Sequence, residues 1–207
     1  MGADRGGLSP ARIETLVDGV FAIAMTILVL ELHAPEPAPA LDLGASLVRL
    51  WPKVASYAVS FVILGTLWIG HHYQFHYIRR SNRALLWINL IFLLFVSFLP
   101  FATALVGSFP RDRVAVLVYG GTLMGAGSCL AAQWGYASWR GRLLGPEASA
   151  AVVRALRARV LAGTVVYGVA LGTAAFLPGV ALVIFAVMPV LYFFPSGIDR
   201  HVRGEGG

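Results

Sequence analysis

The stretch TLVDGVFAIAMTILVLEL, Thr15–Leu32, runs for 18 residues with two charged side chains, Asp18 near its start and Glu31 near its end. As an α-helix it would rise about 27 Å at 1.5 Å per residue, close to the ~30 Å hydrocarbon core of a bilayer. Helices of water-soluble proteins keep a polar face, whereas this one is apolar on nearly every side, as a helix solvated by lipid must be. Five further apolar stretches approach the same length, at residues 54–77, 84–106, 114–138, 160–177 and 179–194. The expected fold is an all-α membrane protein, a single unit over residues 1–207 with six transmembrane helices.

Composition agrees with a lipid solvent. The 207 residues are 58% hydrophobic and 13% charged, with mean hydropathy +0.76, whereas soluble domains carry about 25% charged residues. That balance excludes a disordered chain, and the single Cys129 excludes a disulfide scaffold. A net charge of +6 raises nucleic acid as a partner, but the arginines fall between apolar runs and not along one polar face, so no nucleic-acid binding is expected. They set orientation instead. The amino-terminal segment, the second and fourth loops and the carboxyl-terminal tail hold 12 of the 16 basic residues, and the other three loops hold 4. By the positive-inside rule both termini are cytoplasmic, as an even number of spans requires.

Local signals refine this layout. Arg5 and Arg12 before the first span, with Ala38-Pro39-Ala40 after it, could mark a cleaved leader, but carboxylates at Asp18 and Glu31 favour a retained span. Pro35, Pro37 and Pro39 predict an extended segment. After it, Asp42 can cap a short interfacial helix with Leu43, Leu47, Leu50 and Trp51 on one face, before Pro52 interrupts it. Pro100 should kink the third span, and Pro178-Gly179 demands a tight hairpin between the fifth and sixth. Gly145-Pro146-Glu147 reads as a helix start ahead of Arg154, Arg157 and Arg159, whose charge also suits anionic membrane lipid.

Ionisable groups inside a span are costly and point to function. Asp18 can be a carboxylate favoured by the helix dipole, a structural partner of Arg12, or part of a proton relay. Glu31 is either simply exposed at the interface or one member of a ring of carboxylates that concentrates cations at a pore mouth. In the second span, His72 and His76 share a helix face, but no second helix supplies the histidines or thiols that a haem or zinc site needs, so no metal and no cofactor are expected. Hydrogen bonding of one imidazole to Asp18, or to Asn89 on the third span, is the favoured use. Leu16, Val20, Ile23, Ile27, Leu30 and Ala34 form one apolar stripe, which in so apolar a helix reads as core or lipid-facing. No nucleophile elbow, phosphate loop or His-Glu-x-x-His run is present, so the chain is not read as an enzyme.

The run Arg12-Ile13-Glu14-Thr15-Leu16-Val17-Asp18-Gly19-Val20-Phe21-Ala22-Ile23-Ala24 resembles the first-helix signature of the transmembrane protein 175 potassium-channel family: Arg, three residues, Phe-Ser-Asp, then Gly-Val-Phe-Ala-Ile-Ala. Trp68-Ile69-Gly70-His71-His72-Tyr73-Gln74-Phe75 is similar to the Trp-x-x-His-His-x-x-Phe pattern of its second helix, and Pro100-Phe101-Ala102-Thr103 also matches. Leu16 and Val17 stand where the family has Phe and Ser, so the hydrogen bond of that serine is lost. The resemblance covers about the first half; the second half agrees only in span count and loop placement.

A single six-span unit is similar to the prokaryotic branch, which implies a homotetramer in a prokaryotic plasma membrane. Four first helices would line a central path for monovalent cations, without a carbonyl-filter loop. The family's hydrophobic constriction maps onto Ile23, Ile27 and Leu30, and a layer implicated in selectivity onto Thr26. Arg12, Asp18, Trp68, His71, His72 and Asn89 are then candidates for one structural network. The expected function is a potassium-permeable channel; the alternative is a proton-coupled transporter or proton channel using Asp18 and the second-span histidines.

Overall fold

The computed structural model describes residues 9–36 and 42–193. Arg5, Arg200, Arg203 and the prolines at 37 and 39 lie outside the described residues. Seven α-helices follow one another: α1 (Pro10–Leu30), α2 (Leu43–Arg49), α3 (Trp51–Tyr77), α4 (Arg83–Ser108), α5 (Arg113–Ser138), α6 (Ala150–Ala174) and α7 (Pro178–Phe193). Five of them, α1 and α3 to α6, are long and apolar enough to cross a membrane. The sixth expected span, α7, has 16 described residues, about 24 Å of rise and shorter than a crossing usually needs.

Helix starts follow local chemistry. Asp42 accepts a hydrogen bond from the Ala45 amide (3.1 Å), Asn82 from that of Leu85 (3.0 Å), and Asp112 from those of Val114 and Ala115 (2.8 and 3.1 Å), each satisfying amides left open in a first turn. Two expectations shift. Pro52 does not interrupt the interfacial helix but sits in the first turn of α3, where its missing N–H costs nothing. Gly145-Pro146-Glu147 is a turn, and α6 starts at Ala150 behind a Ser149 cap, ten residues before the expected span. Its opening turns carry Arg154, Arg157 and Arg159, charges that a hydropathy reading places outside the membrane although the helix is continuous through them. Likewise α4 runs unbroken through the buried Pro100.

Packing divides the helices. α4 and α5 pack on one another at the centre; α1 lies against α3 and α4, α6 lies against α5, and α7 lies against α6 with smaller contacts to α3 and α5. The core is a continuous apolar cluster in which the Phe21 and Phe92 rings meet at 5.8 Å. Gly125 lets α4 and α5 approach, because the Phe95 ring occupies the space a Cβ would need.

At one end of the bundle the α3–α4 and α5–α6 loops are clasped. The amides of Arg79 and Arg80 both donate to the Leu143 carbonyl (2.9 and 3.2 Å), the Gly145 amide donates to that of Tyr77 (2.9 Å), and Arg79 pairs with Glu147 at 3.3 Å. Glu147 is held below the usual carboxylate range, first by a hydrogen bond from its own backbone amide and then by the Arg79 guanidinium. A lowered folded value means that this contribution is complete above the ordinary glutamate pKa, near 4.5, and is lost as the pH falls through the folded value. Hydrogen exchange should therefore show the Arg79 and Arg80 amides protected at neutral pH and losing protection only below that range, whereas Glu147→Gln should be flat across it.

The clasped end also receives the start of α1, since Trp68, nine residues before the end of α3, meets Asp18, eight residues into α1. Arg12, Arg79, Arg80, Arg83, Arg140, Arg142, Arg154, Arg157 and Arg159 thus share one end, and Arg49, Lys53, Arg111 and Arg113 the other. With positive charge retained in the cytoplasm, a cysteine placed at exposed Arg80 should be labelled from the cytoplasmic side and one at exposed Ser108 from the opposite side. Reversed accessibility would overturn the assigned orientation.

Candidate functional site

In α1 the side chains of Ile13, Val17, Phe21, Ala24 and Leu28 are buried against α3 and α4. At about 100° per residue they make one stripe, and the stripe holding Ile23, Ile27 and Leu30 lies roughly 100° around from it. Those three are 60%, 39% and 67% exposed in the subunit, so the described residues leave this stripe largely uncovered. Thr26 stands almost opposite the buried stripe. Its hydroxyl donates to the carbonyls of Ala22 and Ile23, both at 2.9 Å, so its donor is spent inside the helix and only oxygen lone pairs and a methyl remain outward. Thr15, Gly19 and Ala22 share this small, weakly polar face, all exposed.

Two fastenings hold α1 in this orientation. The Trp68 indole N–H donates to an Asp18 oxygen at 2.8 Å, and Trp68 stacks on His72 at 5.6 Å between centroids. Beneath, His71 is buried between the rings of Phe75 (4.3 Å) and Phe92 (5.6 Å), with its Nε2 3.0 Å from the Asn89 Oδ1. Phe92 in turn carries Phe21. Of the six residues expected to form one network, five are thus brought together as two adjoining pairs with His72 stacked beside them. Arg12 is exposed, and its side chain makes no hydrogen bond or ion pair among the described residues. No hydrogen bond joins Asp18 to an imidazole; each has its own partner. Glu31 forms the C-cap of α1 and lines a cavity of about 100 Å³ with His33, Lys53, Tyr57 and Thr103. Among the described residues no group of three or more His, Cys, Asp or Glu side chains is arranged to hold a metal ion.

Two polar clusters were not anticipated. Thr103 donates to the Ser60 hydroxyl at 2.8 Å, and Ser60 and the Tyr119 hydroxyl lie 2.9 Å apart, tying α3, α4 and α5 together. Gln74 donates to the Leu130 carbonyl at 3.1 Å and accepts from Gln133 at 3.2 Å. The available signal was that polar residues stand inside the apolar runs, where each demands a partner in lipid without naming it.

This geometry can be set beside known proteins. The profile of the family described as "Endosomal/lysosomal potassium channel TMEM175" matches residues 12–100, from the start of α1 to Pro100 in α4. A protein of Streptomyces collinus named potassium channel is 33% identical over 187 residues, covering 88% of this chain and 91% of that one. The chain belongs to the TMEM175 family. A second TMEM175-related protein, named potassium channel in Chamaesiphon minutus, is 32% identical over 192 residues, with 90% and 88% of the two chains covered. The crystal structure described as a lysosomal potassium-selective channel TMEM175 homolog from Chamaesiphon minutus superposes with a TM-score of 0.80 at 29% identity, covering 88% of this chain and 95% of that one. TMEM175 proteins are channels and not enzymes, and this chain, with its five membrane-length helices, is an integral membrane protein.

Proposed function

We propose that the chain is the subunit of a homotetrameric, potassium-permeable cation channel in a prokaryotic plasma membrane, with both termini cytoplasmic. Four copies of α1 surround the axis, and no carbonyl loop serves as a filter. Ile23, Ile27 and Leu30 close the path by excluding water, Thr26 contributes to ion preference, and Glu31 collects cations at the outer mouth. The observation that carries this reading is the pair of stripes on α1: one buried in the subunit and one left largely uncovered along the second half of a membrane-length helix. A single stripe cannot enclose a path, so conduction requires cyclic assembly. Relatives named potassium channels over most of the chain support the choice of ion.

The test is flux. Purified protein in sealed liposomes should pass potassium down its gradient, and native mass measurement of the same sample should give four subunits. Absence of flux, or a conducting monomer, overturns the proposal. Flux that disappears when the proton gradient is collapsed would assign the protein to proton-coupled transport through Asp18 and the α3 histidines instead.

A further inference from the structure

A groove runs between α3 and α6 with α5 as its floor. Gly70 and Tyr73 stand on one wall, Gly127 and Leu130 below, and Arg159 and Gly163 on the other wall. Small residues create it: the nearest atom to a Cβ built at Gly70 would be Leu130 Cδ1 at 3.8 Å, so a longer side chain would enter the groove. The lining is mostly apolar, with the Arg159 guanidinium and the Tyr73 hydroxyl among its polar groups. Arg159 lies ten residues into α6, at the boundary between its arginine-bearing opening turns and its apolar remainder. A guanidinium has five N–H donors and can hold a phosphate oxygen beside the contacts it already makes. The Tyr73 hydroxyl makes no hydrogen bond among the described residues, although it borders the same groove.

We propose that this groove binds an anionic phospholipid, with an acyl chain along Gly70, Gly127, Leu130 and Gly163 and the phosphate between Arg159 and the Tyr73 hydroxyl. Charge selects this occupant. Among the described residues the same end of the bundle carries nine arginines against three carboxylates, Glu14, Asp18 held by Trp68, and Glu147 held by Arg79, so it stays strongly positive. Basic pockets between helices at a membrane surface collect acidic headgroups. A second copy of the chain seated here in a cyclic assembly would bring its own arginines to the same rim, so like charges oppose it. A zwitterionic lipid would offer the chain the same apolar contacts but gain less from the rim.

The experiment is native mass spectrometry of the full chain from mixed micelles of phosphatidylglycerol and phosphatidylcholine. The parent should retain phosphatidylglycerol preferentially. Arg159→Gln should lower that retention about fivefold, the share of one arginine at a charged surface, with Tyr73→Phe lowering it less. Arg154→Gln, on another side of α6, should leave it near the parent value, and Gly70→Leu should abolish it with every arginine in place. Excess glycerol 3-phosphate should not compete, because the acyl chain is part of the ligand. Equal retention of the two lipids, an equal loss in Arg154→Gln and Arg159→Gln, or competition by glycerol 3-phosphate overturns the proposal. So does a Gly70→Leu variant that loses its oligomer while keeping its lipid, since a second copy would then be the occupant.

Discussion

Tetramers carrying Ile23→Asn are expected to leak potassium into sealed liposomes at least about tenfold faster than the parent, which requires removing only about 1.4 kcal/mol from the barrier. Ile23 lies 13 residues into the 21-residue α1, near its middle and far from either polar surface. Four such side chains around an axis exclude water, and an ion passing them sheds hydration that nothing replaces. Asparagine has a similar size and supplies hydrogen-bonding groups; Ile23→Ala widens the gap without polarity and should raise leak less. Thr26→Val should change the ratio of potassium to sodium flux more than it changes leak, because it alters an oxygen and not the width at Ile23. If both Ile23 variants assemble and conduct like the parent, the constriction lies elsewhere.

The second large effect is on stability. Asn89→Leu removes the acceptor of a His71 ring that is sealed between Phe75 and Phe92. Interhelical hydrogen bonds in membranes average only about 0.6 kcal/mol, but a buried donor left without any partner costs roughly 1–3 kcal/mol. The second figure governs here, since His71 is 2% exposed and has no route to water. A lower midpoint of thermal unfolding is expected. The double variant His71→Phe with Asn89→Leu removes both partners and should recover most of that loss; if it is as unstable as the two single losses added, the hydrogen bond is not the cause.

Much of the architecture follows from apolar run length, so α1, α3, α4 and α5 lie within a few residues of where the hydropathy places them. The beginning of α6 does not, because Arg154, Arg157 and Arg159 break the apolar run without breaking the helix, and hydropathy measures solvent rather than backbone. The two stripes of α1 show the same limit. Periodicity brings Ile23, Ile27 and Leu30 together, yet in a helix apolar all round it cannot tell which stripe the subunit buries; packing against Phe92 decides that. The Ser60–Thr103–Tyr119 cluster was illegible for another reason. Its members come from three helices, with 59 residues between Ser60 and Tyr119, and no local pattern encodes such a meeting.

The attachment of α1 has a mechanical consequence. Its principal neighbours are α3 and α4, while α6 is anchored on α5 and α7 on α6, and the family profile spans the portion from α1 into α4. Turning α1 about its own axis would strain the Asp18–Trp68 bond and the Phe21–Phe92 contact while leaving α5, α6 and α7 in place. Such a turn would also lift Ile13, Val17, Phe21, Ala24 and Leu28 off α3 and α4, so the resistance to rotation is spread along the whole buried seam of one helix, with the indole–carboxylate bond as its polar latch.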